Sequence, residues 1–389
     1  MNSKRGSSFG VLLFCMAAIV IFGQNILLDK KESGRDTVVQ GMQQEDEMYA
    51  IENEKLLIYD TLAMEDIFTK EYALIQKDTC DEESLETEEV VVSQLSMKEL
   101  EDLKEQERLE EQKVREEEAI EAIGRATVQM NVSANEAILM NATTKEVLYN
   151  KGGLDTIQPA STAKLLTAIV AVELSEEGEE FVVGSEIDLM APDSSRAYLV
   201  KGQVLSLENI LDALLLPSGN DAAYVIAANL GRKIAGDDSL KRKAAVEVFV
   251  DKMNEMAHEI GVVNSNFVTP DGYDADGQYT TAYDLGLVAS KALEYDEILN
   301  SVKKEKARNI LLSGHDVTWY NSNKLVKQGS GYYYKYAIGL KTGTSGEAGR
   351  CLISAAKNGE KLYVSVVMNA SYEGRWQDSI DLLDYAIRN

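Results

Sequence analysis

The sequence predicts an α+β domain, an antiparallel sheet flanked by helices, with a helical subdomain inserted between the first and last strands. Three observations carry this expectation. First, β-rich "EAILMNA" (136–142) and "EVLYN" (146–150) flank Thr143-Thr144-Lys145 and read as a hairpin. Second, helical periodicity dominates the middle of the chain, at 207–216, 221–231, 245–261 and 281–294. Third, "YAIGLKTGTS" (336–345), "CLISAAK" (351–357) and "KLYVSVVMNA" (361–370) read as closing strands, followed by a final helix over 378–389. Early and late strands in one sheet bring the two ends of the domain together. The sequence shows no internal repeat.

Ahead of this domain, which spans 126–389, the chain has a different character. Lys4 and Arg5 precede "FGVLLFCMAAIVIFG", and the apolar run continues through Ile26-Leu27-Leu28. About 20 apolar residues is the length that spans a bilayer. Residues 1–28 therefore read as a signal-anchor or transmembrane segment, with the rest of the chain outside the cytoplasm, or secreted if a peptidase removes the segment. Residues 29–95 are acidic, without period 2 or 3.6, and read as a disordered linker. Ser96-Met97-Lys98-Glu99 matches a helix-capping box, and Gly124 is the next helix breaker, so 96–124 reads as a charged, solvated helical spacer.

The formal charge of −26 excludes a nucleic-acid partner, which needs a basic face to neutralise phosphates. Most of that charge lies outside the globular part: residues 29–125 hold 30 acidic and 12 basic side chains. Cys15, Cys80 and Cys351 are too scattered for a disulfide framework or a metal site, and no metal or other cofactor is expected. His258 and His315 read as packing or surface residues.

The candidate chemistry begins at "PASTAKLLTAIVAVE" (159–173), where Ser161 and Lys164 stand three apart at the head of an apolar helix with no histidine nearby. Residues three apart share a helix face, so the amine reaches the hydroxyl. To accept its proton the lysine must be neutral near working pH, and burial in low dielectric achieves that. The same spacing recurs at Ser301/Lys304, in the charged "NSVKKEKARN" where the lysines should be solvated, and at Ser354/Lys357, on a strand whose i and i+3 side chains point apart. Neither repeat fits the chemistry. "LLLPSGNDAA" places Ser218 and Asn220 at a helix start, where both could serve merely as caps. "GLKTGTS" places Lys341, Thr342, Gly343 and Thr344 on a late strand.

Ser-x-x-Lys, Ser-x-Asn and Lys-Thr-Gly in that order resemble the penicillin-recognising serine enzymes, which share a β-lactamase/transpeptidase-like fold. "NFVTPDGYDADGQYTTAYDLGLVA", "NSNKL" and "GLKTGTSGEAGRCLISAAK" look most like the low-molecular-mass penicillin-binding proteins that act as D-alanyl-D-alanine carboxypeptidases. The resemblance covers about residues 126–389. It implies Ser161 as nucleophile, Lys164 as base, Ser218 as proton relay and Asn220 as holder of the substrate amide. Lys341, with Thr342 or Thr344, would attract the terminal carboxylate and lower the pKa of Lys164, while Gly343 permits close approach. The backbone amides of Ser161 and Thr344 would form the oxyanion hole.

The implied substrate is the pentapeptide stem of peptidoglycan, with β-lactams as covalent inhibitors. Thr344 stands where many of these carboxypeptidases carry tyrosine, which leaves the acceptor open. Asp271-Gly272 and Thr280 to Asp284 match as structural segments. A β-lactamase, a transpeptidase, or an idle wall-binding or β-lactam-sensing module are the competing readings.

Overall fold

The computed structural model describes residue 106 and residues 108–388. The expected anchor, the acidic linker and the start of the spacer helix lie outside the described residues. Among the described residues no helix is long and apolar enough to cross a membrane.

Strands β1 (Glu136–Asn141) and β2 (Val147–Lys151) form the expected hairpin. Asn141 closes its turn by accepting the amides of Thr143 and Thr144 on Oδ1. The late strands are β7 (Ala337–Ser345), β8 (Gly349–Asn358) and β9 (Lys361–Ala370). They join the hairpin in one antiparallel sheet of order β2-β1-β9-β8-β7, with β1 paired to β9. This leaves β7 at an edge.

Both sheet faces are covered, and the alternation of side chains sorts them. Ile138, Met140, Val364, Val366 and Met368 enter the larger core shared with the helical lobe. Ala137, Leu139, Leu352 and Val367 enter a second core under the terminal helix, with Trp376, Leu382 and Leu383. Successive strand residues point to opposite faces, so runs such as "AILM" bury every side chain when both faces are packed.

The helical lobe is built around α2 (Lys164–Leu174), buried from Lys164 through Ala171. Around it lie α3 (Leu207–Leu215), α4 (Asn220–Ala235), α5 (Arg242–Ile260), α6 (Ala282–Ala292) and α7 (Asp296–Val302). Thr281 caps α6 by accepting the Asp284 amide, and the buried Asp284 carboxylate accepts the amides of Val263 and Asn264. The Thr280–Asp284 segment thus locks α6 to the preceding loop. Two short pairs escape the sequence reading: β3 (Glu180–Val182) with β4 (Val204–Ser206), and β5 (Lys306–Ile310) with β6 (Asp316–Tyr320), whose turn carries His315. The terminal helix α8 runs from Gly374 to Arg388.

One expectation needs correction. The described part of the spacer helix, α1 (108–124), packs on the domain. Ala119 is fully buried in the larger core, Ala122 and Ile123 pack against it, and Arg115 donates to the His258 carbonyl of α5 at 2.7 Å. Sparse large apolar residues suggested full solvation, and Leu109, Val114 and Ile120 are indeed exposed. The contact is made instead by Ala119, Ala122 and Ile123 near the end of the helix.

Candidate active site

Ser161 does not sit on the α-helix itself. Ala160–Ala163 form a 3-10 turn, and α2 begins at Lys164. In a 3-10 turn residues i and i+3 eclipse, so the two side chains meet directly. Lys164 Nζ lies 2.9 Å from Ser161 Oγ, 2.8 Å from Asn220 Oδ1 and 2.8 Å from the Asp271 carbonyl oxygen. Ser161 is part-exposed and Lys164 fully buried. Three partners match the capacity of either protonation state: an ammonium donates to all three, whereas a neutral amine donates to the two carbonyls and accepts from the hydroxyl.

Asp271 reaches the lysine because of Gly272. With φ +74°, a Cβ there would lie 1.9 Å from the Ala160 carbonyl oxygen, so only glycine allows this loop against the Ser161 turn.

Ser218 is buried, with φ +65°, and its Oγ has no hydrogen-bond partner among the described residues. Asn220 opens α4, whose N-cap is Gly219 with no side-chain cap. The capping explanation for Ser218 and Asn220 is thereby removed. Asp221 binds the local amides instead, accepting from Ala197, Leu199 and Ala222.

Strand β7 forms the opposite wall. A Cβ on Gly343 would stand 3.1 Å from Thr162 Cγ2 and 3.3 Å from Ala160 Cβ, so the strand lies directly against the Ser161 turn. Thr342 Oγ1 shares a 2.7 Å hydrogen bond with Ser322 Oγ. Lys341 is fully buried, its Nζ donating to the Thr342 carbonyl at 3.0 Å. Thr344 is exposed, and its Oγ1 accepts from Arg375 at 3.2 Å and Arg350 at 3.3 Å. Arg375, near the start of α8, also donates to the Gly343 carbonyl at 3.2 Å and stacks 4.4 Å from the Trp376 ring.

The other serine–lysine pairs do different work. Ser301 and Lys304 both bind the buried Asp212 carboxylate, so Lys304 is paired rather than solvated. Ser354 and Lys357 lie on opposite faces of β8, Ser354 buried mid-strand and Lys357 exposed near its end.

The sequence profile of the D-alanyl-D-alanine carboxypeptidases matches residues 123–372. The chain belongs to this family. It is 30% identical over 253 residues to the D-alanyl-D-alanine carboxypeptidase DacF of Bacillus subtilis, covering 64% of this chain and 60% of that protein. It is 30% identical over 270 residues to a Streptomyces (strain K15) D-alanyl-D-alanine carboxypeptidase, covering 67% and 89%. The crystal structure of the Streptomyces K15 DD-transpeptidase superposes with a TM-score of 0.60 at 29% identity, over 68% of this chain and all of that one. The ampicillin-bound penicillin-binding protein D2 of Listeria monocytogenes gives 0.55 at 26% identity, over 67% and 99%. These neighbours share the α+β architecture, an antiparallel sheet flanked by helices.

In this carboxypeptidase-family chain the electrostatics of the two lysines differ. Burial lowers the Lys164 pKa from 10.5 to about 8, opposed by the negative charges of Asp271 and Asp221. Lys341 is driven well below the ordinary lysine range, by burial first and then by the charges of Lys164 and Arg375. Burial is the first cause for both amines, and the repulsion between Lys164 and Lys341, which acts on each, adds to it. The guanidinium of Arg375 is the more durable positive charge on this wall.

Sequence reasoning missed two contributors. Asp271 was read as structural, yet its carbonyl holds Lys164; the Asp-Gly dipeptide was the available signal. Arg375 lies 31 residues beyond Thr344 with no local motif to mark it.

Proposed function

We propose that this chain is a serine-type D-Ala-D-Ala carboxypeptidase that removes the terminal D-alanine from peptidoglycan stem peptides. The single observation that carries the reading is the buried Lys164 amine held between Ser161 Oγ, Asn220 Oδ1 and the Asp271 carbonyl. With its pKa lowered to about 8, that amine takes the Ser161 proton as the oxygen attacks the carbonyl of the penultimate D-alanine. The carbonyl oxygen takes up the developing negative charge and is met by the backbone amides of Ser161 and Thr344. Collapse breaks the C–N bond, Ser218 passes a proton to the departing amine and regains one from Lys164, and D-alanine leaves. Water then cleaves the ester, its hydroxyl joining the acyl carbon and its proton passing by way of Lys164 to Ser161 Oγ, which restores the neutral amine and the serine hydroxyl.

The edge strand β7 offers unpaired main-chain groups along which an extended peptide can lie as an added strand. Asn220 holds the amide on the acyl side. On the leaving side, Arg375, Lys341 and the Thr342 and Thr344 hydroxyls meet the free carboxylate, whose charge favours protonation of Lys341 on binding. β-Lactams, which present the same carbonyl and carboxylate, acylate Ser161. The domain works outside the cytoplasm, tethered through residues 1–28, a reading supported by Lys4 and Arg5 ahead of the apolar run.

D-alanine release from a peptide ending in D-Ala-D-Ala tests the assignment. Release is expected from the native chain and is lost in Ser161→Ala; release that survives this substitution removes Ser161 as nucleophile. A second reading, transfer of the acyl group to an amine, is favoured by the Streptomyces neighbour, which is named a DD-transpeptidase. Adding an amine acceptor to the same assay separates ligation from hydrolysis.

A further inference from the structure

Tyr198 combines two features that a surface residue rarely shows together. Its backbone has φ +62°, a region costly for a bulky side chain, and 82% of the residue is exposed. Neither core packing nor a turn glycine explains it.

The surrounding bonds hold it there from both sides. The amides of Ala197 and Leu199, on either side of Tyr198, donate to the two oxygens of the buried Asp221 carboxylate at 2.8 and 2.9 Å. The Ala197 carbonyl accepts from the Trp319 indole at 2.9 Å. With its neighbours turned inward, the residue between them is forced outward. Asp221 directly follows Asn220, so one rigid element sets both the amide-holding side chain and the conformation of Tyr198.

The same segment is tied to residues that flank the site. The Asn220 amide donates to the Ser195 carbonyl at 2.8 Å, and a Cβ on Gly219 would stand 2.8 Å from Ala197 Cβ. At its other end Asp193 accepts from the Tyr273 hydroxyl at 2.9 Å, two residues beyond the Asp271 that binds Lys164. Both ends are therefore tied to the groups that hold the candidate base.

We propose that Tyr198 is a specificity residue whose ring packs against the stem peptide on the acyl side of the scissile bond, upstream of the two terminal D-alanines. Its segment is bonded to Asn220 through Ser195 and lies against Gly219 through Ala197, next to the residue assigned to the substrate amide. Backbone strain that the surroundings over-determine is characteristic of ligand contacts. An aromatic ring with little conformational freedom gives contact at low entropic cost. The inference rests on the carboxypeptidase reading above.

The test compares two substrates, a pentapeptide ending in D-Ala-D-Ala and N-acetyl-D-alanyl-D-alanine, through the ratio of their kcat/KM values. In Tyr198→Gly the preference for the pentapeptide is expected to fall by about fivefold or more, the scale of one aromatic contact. Tyr198→Phe is expected to keep the ratio within about twofold, and the unfolding temperature of the glycine variant to equal or exceed that of the native chain, since glycine relieves the strain. Because the ratio is taken within one variant, any loss of folded protein cancels. A pentapeptide preference in Tyr198→Gly equal to that of the native chain overturns the proposal. Failure of the native chain to release D-alanine from either substrate instead overturns the carboxypeptidase reading.

Discussion

Asn220 Oδ1 accepts a 2.8 Å hydrogen bond from Lys164 Nζ across 56 positions of sequence, coupling the start of α4 to the start of α2. A neutral amide at this point matters. It satisfies one donor of the amine without adding a negative charge that would hold the proton in place.

Asn220→Asp therefore raises the Lys164 pKa, because an opposite charge at this distance favours the ammonium. The rising limb of the pH–rate profile is expected to move upward by about one unit or more, so the rate at pH 7 falls by about tenfold or more. A limb that stays in place while the overall rate drops would show that Asn220 acts only on the substrate.

Arg375→Leu removes the lasting positive charge beside Gly343 and Thr344. A charge-assisted hydrogen bond contributes about 1.5–3 kcal/mol, so kcat/KM for a peptide with a free terminal carboxylate is expected to fall by about tenfold to a hundredfold. The fall for the same peptide amidated at its C-terminus is expected to be much smaller. Equal losses on both peptides would contradict a carboxylate-binding role.

Gly272→Ala is expected to destabilise the protein by more than Gly236→Ala does, measured by urea unfolding. Both glycines have positive φ, +74° and +62°, so both variants carry the left-handed penalty of about 1–2 kcal/mol. At Gly236 nothing lies within 4 Å of the added carbon, whereas at Gly272 the Ala160 carbonyl lies 1.9 Å away. The extra loss measures how tightly the Asp271 loop is pressed against the Ser161 turn. Similar losses in the two variants would mean that the turn yields freely.

Strong local periodicity made the sheet and most helices legible. β1, β2, β7, β8 and β9 read as strands, and α3 to α6 show clear helical spacing. The β5–β6 hairpin was missed because "KARNI" is largely polar and buries only Ala307 and Asn309, so the β-branched and aromatic residues of "DVTWY", with Trp319 buried, had no evident partner strand. The packing of α1 was missed because the face that meets the domain is short, made by Ala119, Ala122 and Ile123, and two of the three are too small to register in an apolar pattern.

The motifs placed Ser161, Lys164, Ser218, Asn220 and Lys341 in one search. What they could not convey was the role of backbone and of distant charge. The Asp271 carbonyl carries no side-chain signature, and Arg375 reaches Gly343 only because α8 folds back over β8 and β9. The left-handed backbone of Tyr198 is equally invisible in sequence, since it is imposed by Asp221 and Trp319.

The central claim is that a buried Lys164 is neutral often enough to deprotonate Ser161. The most direct measurement is the second-order rate of Ser161 acylation by a β-lactam, followed by mass spectrometry as a function of pH. A limb rising with pH and centred on about 8 is predicted, because the reactive form is the deprotonated amine and burial sets its pKa there. A limb near the ordinary lysine value of about 10.4, or acylation that persists in Lys164→Ala at the native rate, would contradict it.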